Sequence, residues 1–386
     1  MPELTPKILN VLWPICILFV ILGCTYAFLT AAILRQFAQK LVTALSSTAS
    51  LTILKPLYGI EPGLEANLAS FCDQNYCGKI QLVLGLPDRA DPAAAAVQRL
   101  RDRYPGHDIA LCIDPQVHGT NRKISNLINM LPHVRHDVLV LSDSDIRVGP
   151  DYLRDVVATL AQPGVGLVTC LYRGLPVAGI WSQLTAAAID QHFLPSVLVG
   201  LKFGLACPCF GSTIALRRQT LNRIGGFEAV ADRLADDHAI GVAVRGIGLR
   251  VEIPPVLVDH TCSETSLADL VRHELRWART IRSIDFKGYM GLAVTNPLPF
   301  ALAAAALGGF DATGIALLLL VLACRMLVSI QIGKMGGEAR SRAPFWLSPI
   351  RDLLSFAIFV ASFLPGRVVW RGHRFVVHTD GTLRPS

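Results

Sequence analysis

The stretch Val138-Leu-Val-Leu-Ser-Asp143-Ser-Asp145 decides how this chain is read. Four apolar residues in a row, closed by polar ones, form the pattern of a strand buried on both faces. The run ends in two carboxylates with one residue between them. Side chains at i and i+2 point the same way while the backbone stays extended, so Asp143 and Asp145 can converge on one cation at the end of the strand. A diphosphate needs such a cation: Mg2+ or Mn2+, held by one or two carboxylates plus phosphate oxygens, neutralises the charge that grows on a departing diphosphate. A solvated turn or an aspartate cap produces the same tripeptide.

Outward from this run, similar short β-rich segments occur at Leu51 to Leu54, Ile80 to Leu86, Ile109 to Ile113, Gly166 to Cys170, Ser212 to Leu216 and Leu249 to Ile253. Most precede a helical pattern, the clearest having Ile124, Leu127, Ile128 and Leu131 at offsets of three, four and seven. The alternation predicts an α/β fold with a mainly parallel sheet and ligands at the C-terminal ends of the strands. About 250 residues of ordinary polarity separate Arg35 from Lys287, enough for one such domain. We place it at 48–286.

The flanks have a different composition. Of 386 residues 52% are hydrophobic and only 17% charged, with a mean hydropathy of +0.45, which points away from a simple soluble protein. Residues 8–34 carry no charge, and at about 1.5 Å per residue they reach about 40 Å, more than the roughly 30 Å hydrocarbon core. No cleavage site follows, so the segment reads as an anchor and not as a signal peptide. Arg35 and Lys40 follow it against Lys7 before it, which favours a cytoplasmic domain after it.

A second apolar region at 288–366 reads as two to three segments, interrupted by Arg325, by Lys334 to Arg342 and by the adjacent Arg351 and Asp352, before a basic tail at 367–386. Phe193 to Phe210 is apolar but contains Pro195, Pro208 and two glycines, and is expected to be an interfacial or buried segment and not a span. The net charge of +7 is concentrated beside these apolar stretches, around Arg272 to Lys287 and in the tail, so anionic lipid headgroups fit as partner and nucleic acid does not. The ten cysteines are scattered without a paired CxxC and read as reduced packing residues.

Two further motifs carry titratable groups. Asp236-Asp237-His238 opens a helical stretch, where acids favour the free N–H groups of a helix N-terminus; the functional alternative is a general base that deprotonates an acceptor hydroxyl. His273-Glu-Leu-Arg276-Trp277 lies in a helix starting near Ser266. It lacks the second histidine of a metalloprotease site. Arg276 and Trp277 suit either membrane-interface anchors or contacts to pyrophosphate and acceptor. Walker loop, dinucleotide fingerprint and G-x-S-x-G elbow are all missing from the sequence.

Asp91, Asp143 and Asp237 in this order, followed by HxxRW and a C-terminal apolar block, resemble the ceramide glucosyltransferase family of inverting GT-A glycosyltransferases. The resemblance runs from Ile53-Leu-Lys-Pro-Leu57 and Gly59 through Asp88-Arg-Ala-Asp91-Pro92-Ala93, Gly119-Thr-Asn121-Arg-Lys123, Gly211-Ser212 and Gly225-Gly226-Phe227 to the Arg-Trp pair. It is most similar to the bacterial hopanoid-biosynthesis-associated branch.

The resemblance implies roles. Asp91 is the acid near the nucleotide, Asp143 and Asp145 face the metal and diphosphate, and Asp237, with Asp236 beside it, is the base. Lys55 and Lys123 meet donor phosphates or are surface charges, and His273, Arg276 and Trp277 form the closing motif. The family usually has Gln or Arg at the position of His273, and ceramide enzymes often have Gly at that of Asp145. The implied reaction is transfer of N-acetylglucosamine from UDP-N-acetylglucosamine to the hopanoid bacteriohopanetetrol by a multi-pass protein of the bacterial inner membrane whose catalytic domain faces the cytoplasm. Ceramide or diacylglycerol glucosylation, processive polysaccharide synthesis and a non-catalytic scaffold are the rival readings.

Overall fold

The computed structural model describes residues 4–39, with side chains from 11 onward, then 48–335 and 344–364, and the backbone of three short strands between 368 and 385. The chain forms two compact units.

The first unit takes in Leu41–Ala178, Cys207–Ser263 and the strands after Arg367. Its strands are β1 (Leu51–Pro56), β2 (Ile80–Leu86), β3 (Asp108–Ile113), β4 (Val138–Leu141), β5 (Ile146–Arg147), β6 (Val165–Val168), β7 (Leu171–Pro176), β8 (Ile214–Arg217), β9 (Arg250–Glu252) and β10 (Leu257–Cys262). Seven form one sheet in the order β3-β2-β1-β4-β8-β6-β9. β3, β2, β1 and β4 run parallel, and β8 is antiparallel to both β4 and β6. The sheet is mainly parallel, as the alternating pattern requires.

Strand residues alternate between two apolar layers. Val138 and Val140 pack with Leu51, Ile53, Leu82 and Val156, while Leu139 and Leu141 pack on the other face with Leu54, Ile124, Leu127 and Ile240. From β1 the chain proceeds to β2 and β3 on one side, then returns to β4 on the other. The register Leu51↔Val138 to Leu54↔Leu141 sets the C-terminal ends of β1 and β4 side by side at this switch point, where open α/β sheets leave a crevice for ligands. A smaller sheet, β5-β10-β7, lies in the same unit: Asp259 and His260 of β10 pair with Arg147 and Ile146 of β5. Its strands are short or strongly polar, which is why periodicity alone does not announce them.

The second unit gathers the helices within Met1–Lys40, Gly179–Ala206 and Glu264–Gly366. The helix Leu4–Ala38 packs on Pro297–Leu307 and Ala312–Gly333. Phe19 stacks on Phe300 at 4.4 Å between ring centroids, and a Cβ on Gly23 would stand 2.6 Å from Pro297 Cβ, so glycine lets these helices approach.

Among the described residues three helices are long and apolar enough to cross a membrane: Val11–Ala38, Ile180–Lys202 and Ala312–Gly333. A fourth crossing is formed if the bent pair Phe286–Thr295 and Pro297–Leu307 counts as one broken span. Ile180–Lys202 corrects the expectation that the apolar stretch around Pro195 is too broken to span. Ile189–Phe193 forms a π-turn, and Pro195 follows in the first turn of Leu194–Lys202, so the wider turn absorbs the missing N–H and the run stays helical.

Of the charges that interrupt the C-terminal block, Arg325, Arg351 and Asp352 are buried and paired inside this unit, Lys334 is exposed, and 336–343 lie outside the described residues. Asp352 receives Arg325 Nε at 2.7 Å and lies 2.9 Å from His192 Nε2, while Arg351 donates to both oxygens of Glu274 at 2.8 and 2.9 Å. In the expected basic tail, Arg367 and Arg371 lie outside the described residues, and Arg374 falls in the strand His373–Val377 of a three-stranded antiparallel sheet.

Candidate active site

Ser142 to Asp145 leave β4 at the switch point. Asp143 donates its backbone N–H to Gly211 O at 3.1 Å, Thr261 donates its own to Asp145 O at 2.8 Å, and Asn67 Nδ2 donates to Ser144 O at 3.2 Å. The turn is therefore tied to β10 and to the loop before β8 through its main chain, which leaves the two carboxylates directed by their own partners.

Those partners are cationic. Lys123 Nζ lies 2.7 Å from Asp143 Oδ1 and 3.1 Å from Asp236 Oδ2. Lys123 occupies the first turn of the helix Arg122–Met130, whose cap Asn121 accepts the N–H groups of Lys123 and Ile124 and donates through Nδ2 to Asp236 Oδ1 at 3.2 Å. On the other side, His260 Nε2 stands 3.3 Å from Asp145 Oδ2.

Asp237 completes the cluster from the first turn of the helix Asp236–Gly246. Its Oδ2 accepts the Gly211 N–H at 3.0 Å and its Oδ1 that of His238 at 2.7 Å. Gly211 thus joins the two acidic motifs, donating to Asp237 and accepting from Asp143. Added to Gly211, a Cβ would meet Asp143 Oδ2 at 2.4 Å and Lys123 Nζ at 3.0 Å, so only glycine fits here without moving the carboxylate.

The proton affinities follow from burial and charge. Burial and the adjacent Asp236 carboxylate raise the Asp237 carboxyl to about 6, against the pull of Lys123. Burial also raises Asp143, with Lys123 opposing and Asp145 and Asp236 adding to it. For Lys123, burial alone would favour the neutral amine, but Asp143, Asp236 and Asp237 together hold it protonated and raise its pKa. His260 behaves likewise: burial pushes it down, Asp145 more than offsets that, and the imidazole is raised well above its ordinary value.

The other expected residues fall in different places. Asp91 accepts the Gly59 N–H with both oxygens at 3.0 Å and the Ala93 N–H at 2.9 Å, so it binds the loop after β1 to the start of the helix Ala93–Arg103. Lys55 is fully buried at the end of β1, and its ammonium faces the underside of the Ser142–Ile146 turn. His273, Arg276 and Trp277 belong to the other unit, in the helix Leu267–Ile284 capped by Ser266. There His273 Nδ1 pairs with Glu264 Oε1 at 2.6 Å and its ring meets Trp277 edge-on at 4.3 Å.

His260 escapes sequence reading because its strand, Leu-Val-Asp-His-Thr-Cys, carries polar residues on both faces; the aspartate-histidine pair inside it is the only hint. The part played by Gly211 is equally silent, since a glycine before a strand usually marks a turn.

Among the described residues no three His, Cys, Asp or Glu side chains close into a complete metal cage. Mg2+ and Mn2+ bind through one or two carboxylates and complete their shell with water and phosphate oxygens. Asp143 and Asp145 are the hard oxygen donors available for it. A cavity of about 430 Å³ elsewhere in the unit is lined by Ser50, Arg135, His136 and Arg217, at the N-terminal ends of β1 and β4, and contains none of these acids.

The chain is similar to known proteins. Ceramide glucosyltransferase 1 of Caenorhabditis elegans is 23% identical over 345 residues, covering 87% of this chain and 73% of that protein. An N-acetylglucosaminyltransferase of Sinorhizobium fredii is 22% identical over 266 residues, 62% of this chain and 59% of the other. Among solved structures, the mannosyltransferase PcManGT from Pyrobaculum calidifontis, determined in complex with GDP-Man and Mn2+, shares the fold with a TM-score of 0.50 at 20% identity, over 91% of this chain and 98% of that one. The sequence pattern of glycosyl transferase family 21 matches residues 15–383. The chain therefore belongs to glycosyl transferase family 21 and is a nucleotide-sugar-dependent glycosyltransferase with a GT-A-like fold.

Proposed function

We propose that this protein transfers N-acetylglucosamine from UDP-N-acetylglucosamine to a hydroxyl of a hopanoid lipid, bacteriohopanetetrol, with inversion at the anomeric carbon. The observation that carries the reading is the convergence of Asp143, Asp145, Asp236 and Asp237 at the C-terminal ends of the central strands, with Lys123 between the two acidic motifs. Four carboxylates gathered in one recess repel one another and cost stability unless cations join them, which a scaffold has no reason to sustain.

In the proposed mechanism Asp237 takes the proton of the acceptor hydroxyl. The acceptor oxygen forms a bond to the anomeric carbon as the bond from that carbon to the diphosphate oxygen breaks, and UDP carries away the electron pair. Such a base contributes about 10² to 10⁴ in rate. Asp143 and Asp145 would hold Mg2+ or Mn2+, and the ion, when bound, neutralises the diphosphate. Lys123 bridges Asp143 and Asp236 in the recess. Asp91 fixes the loop beside the nucleotide, and His273, Arg276 and Trp277 form the closing motif that the family resemblance implies. The apolar helices support residence in a membrane; a bacterial inner membrane with the acidic unit on the cytoplasmic side is the reading favoured by the sequence, where Arg35 and Lys40 follow the first apolar segment against Lys7 before it.

The N-acetylglucosaminyltransferase relative agrees with this donor, and the acceptor rests on the resemblance to the hopanoid branch alone. The Caenorhabditis relative supports a second reading, glucosylation of ceramide or diacylglycerol from UDP-glucose. Lipid extracts of cells with and without the gene separate the two. Loss of an N-acetylhexosaminyl hopanoid is the expected result, and loss of a hexosyl-ceramide with unchanged hopanoids moves the protein to the second reading.

A further inference from the structure

Lys55 sits at the end of β1 with no exposed surface. Burial lowers the Lys55 amine to about 7 against the pull of Asp145, Asp143 and Glu61, and its protonated form has three N–H donors. All three are engaged within the protein, with Asp143 O at 2.6 Å, Ser142 Oγ at 3.3 Å and Ile146 O at 3.3 Å, and the face of Phe71 lies 3.9 Å away. None is left for a phosphate oxygen.

The acceptors stand at both ends of the turn from which Asp143 and Asp145 project. A buried charge is costly, and an apolar side chain of similar length would fill the same space in this strand without that cost. What the ammonium adds is one rigid point to which both ends of the turn are tied. Asn67, donating to Ser144 O, and Thr261, donating to Asp145 O, hold the segment between them.

From this geometry we infer that Lys55 is a positioning residue: it touches neither donor nor acceptor, and clamps the Ser142–Ile146 turn so that Asp143 and Asp145 stand ready to receive a divalent cation and a diphosphate. The inference rests on the reading of Asp143 and Asp145 given above, and it moves Lys55 from the donor phosphates to the layer beneath the acids.

The test uses the full-length chain in detergent, as wild type, Lys55→Met and Ser142→Ala. UDP binding is measured by calorimetry with and without Mn2+, binding of Mn2+ alone by electron paramagnetic resonance, and folding by thermal melting. Groups that orient metal-binding side chains typically cost about 10- to 100-fold in metal affinity when removed. Lys55→Met is expected to weaken Mn2+ binding and Mn2+-dependent UDP binding within that range, while metal-free UDP binding stays within about twofold of wild type.

Ser142→Ala, which removes one of the three acceptors, is expected to shift Mn2+ binding in the same direction by a smaller factor, and it decides the matter alone if Lys55→Met does not fold. Two results overturn the inference: metal-free UDP affinity that falls as far as the metal-dependent one, which makes Lys55 a phosphate contact, or unchanged Mn2+ binding in both variants. A wild-type chain that binds no UDP under any condition contradicts the nucleotide-sugar reading itself.

Discussion

Gly211 leaves just enough room for Asp143: a methyl group at its α-carbon would stand 2.4 Å from Asp143 Oδ2. The same residue hands its N–H to Asp237, so one peptide sets the spacing between the diphosphate-facing acids and the proposed base.

Gly211→Ala is therefore expected to displace the Asp143 carboxylate and lower turnover about 10- to 100-fold, since a misplacement near 1 Å costs up to about 10² in rate. Its φ is not in the left-handed region, so the backbone itself is not strained and the melting temperature should change little. Gly246→Ala, where nothing lies within 4 Å of the added carbon, is the neutral control. Equal activity in the two variants contradicts the steric argument.

Lys123 is the counter-ion shared by Asp143 and Asp236. Lys123→Met leaves those acids facing each other in a recess without their cation. Breaking a buried pair by removing one partner costs about 3–5 kcal/mol, and the partial exposure of Asp143 puts the expected loss near the lower end. Thermal melting with and without Mn2+ checks this: the variant should melt lower, and Mn2+ should restore part of the loss by replacing the missing charge. A melting curve identical to wild type contradicts the pairing.

The pH dependence follows from Asp237. A base must be ionised to take a proton, and burial beside Asp236 raises this carboxyl to about 6. kcat/KM for the lipid acceptor should rise about tenfold per pH unit below that value and level off above it. Asp237→Asn should abolish the dependence together with about 10² or more of the rate while leaving UDP binding in place. A profile flat from pH 5 to 8 contradicts the assignment.

Much of the acidic unit is legible without coordinates. The Val138 to Leu141 run announces a buried strand because both its faces are covered, and the placement of Asp143 and Asp145 at its end follows from extended geometry. Helix Arg122–Met130 is equally clear from its apolar spacing. The smaller sheet is not, because β5 has two residues and β10 alternates nothing, and His260 is hidden with them. Lys55 shows the limit most plainly: a lysine after Ile53 and Leu54 looks like a charge arriving at the surface, and only tertiary structure reveals the turn folded over it. The helix Ile180–Lys202 was obscured by Pro195, whose accommodation depends on a π-turn that no local propensity signals.

In the helical unit, Asp352 joins Arg325 and His192 within an apolar surround. Arg325→Met should lower the apparent melting temperature in detergent by leaving Asp352 buried against a single partner, at a cost of about 3–5 kcal/mol. Adding Asp352→Leu should recover part of that loss, because a buried charge is removed with its partner. A double variant less stable than the single one contradicts the account of this pair.

The most direct measurement incubates the detergent-purified full-length protein with bacteriohopanetetrol, or separately ceramide, and UDP-N-acetylglucosamine or UDP-glucose in the presence of Mn2+ or Mg2+, with Asp237→Asn in parallel. UDP release and the mass of the lipid product are followed together. The expected result is a hopanoid heavier by one N-acetylhexosamine, formed in step with UDP and missing from the Asp237→Asn reaction. UDP release with only ceramide keeps the acidic site and changes the acceptor; a wild-type protein that modifies no lipid and releases no UDP above the Asp237→Asn background contradicts the central claim.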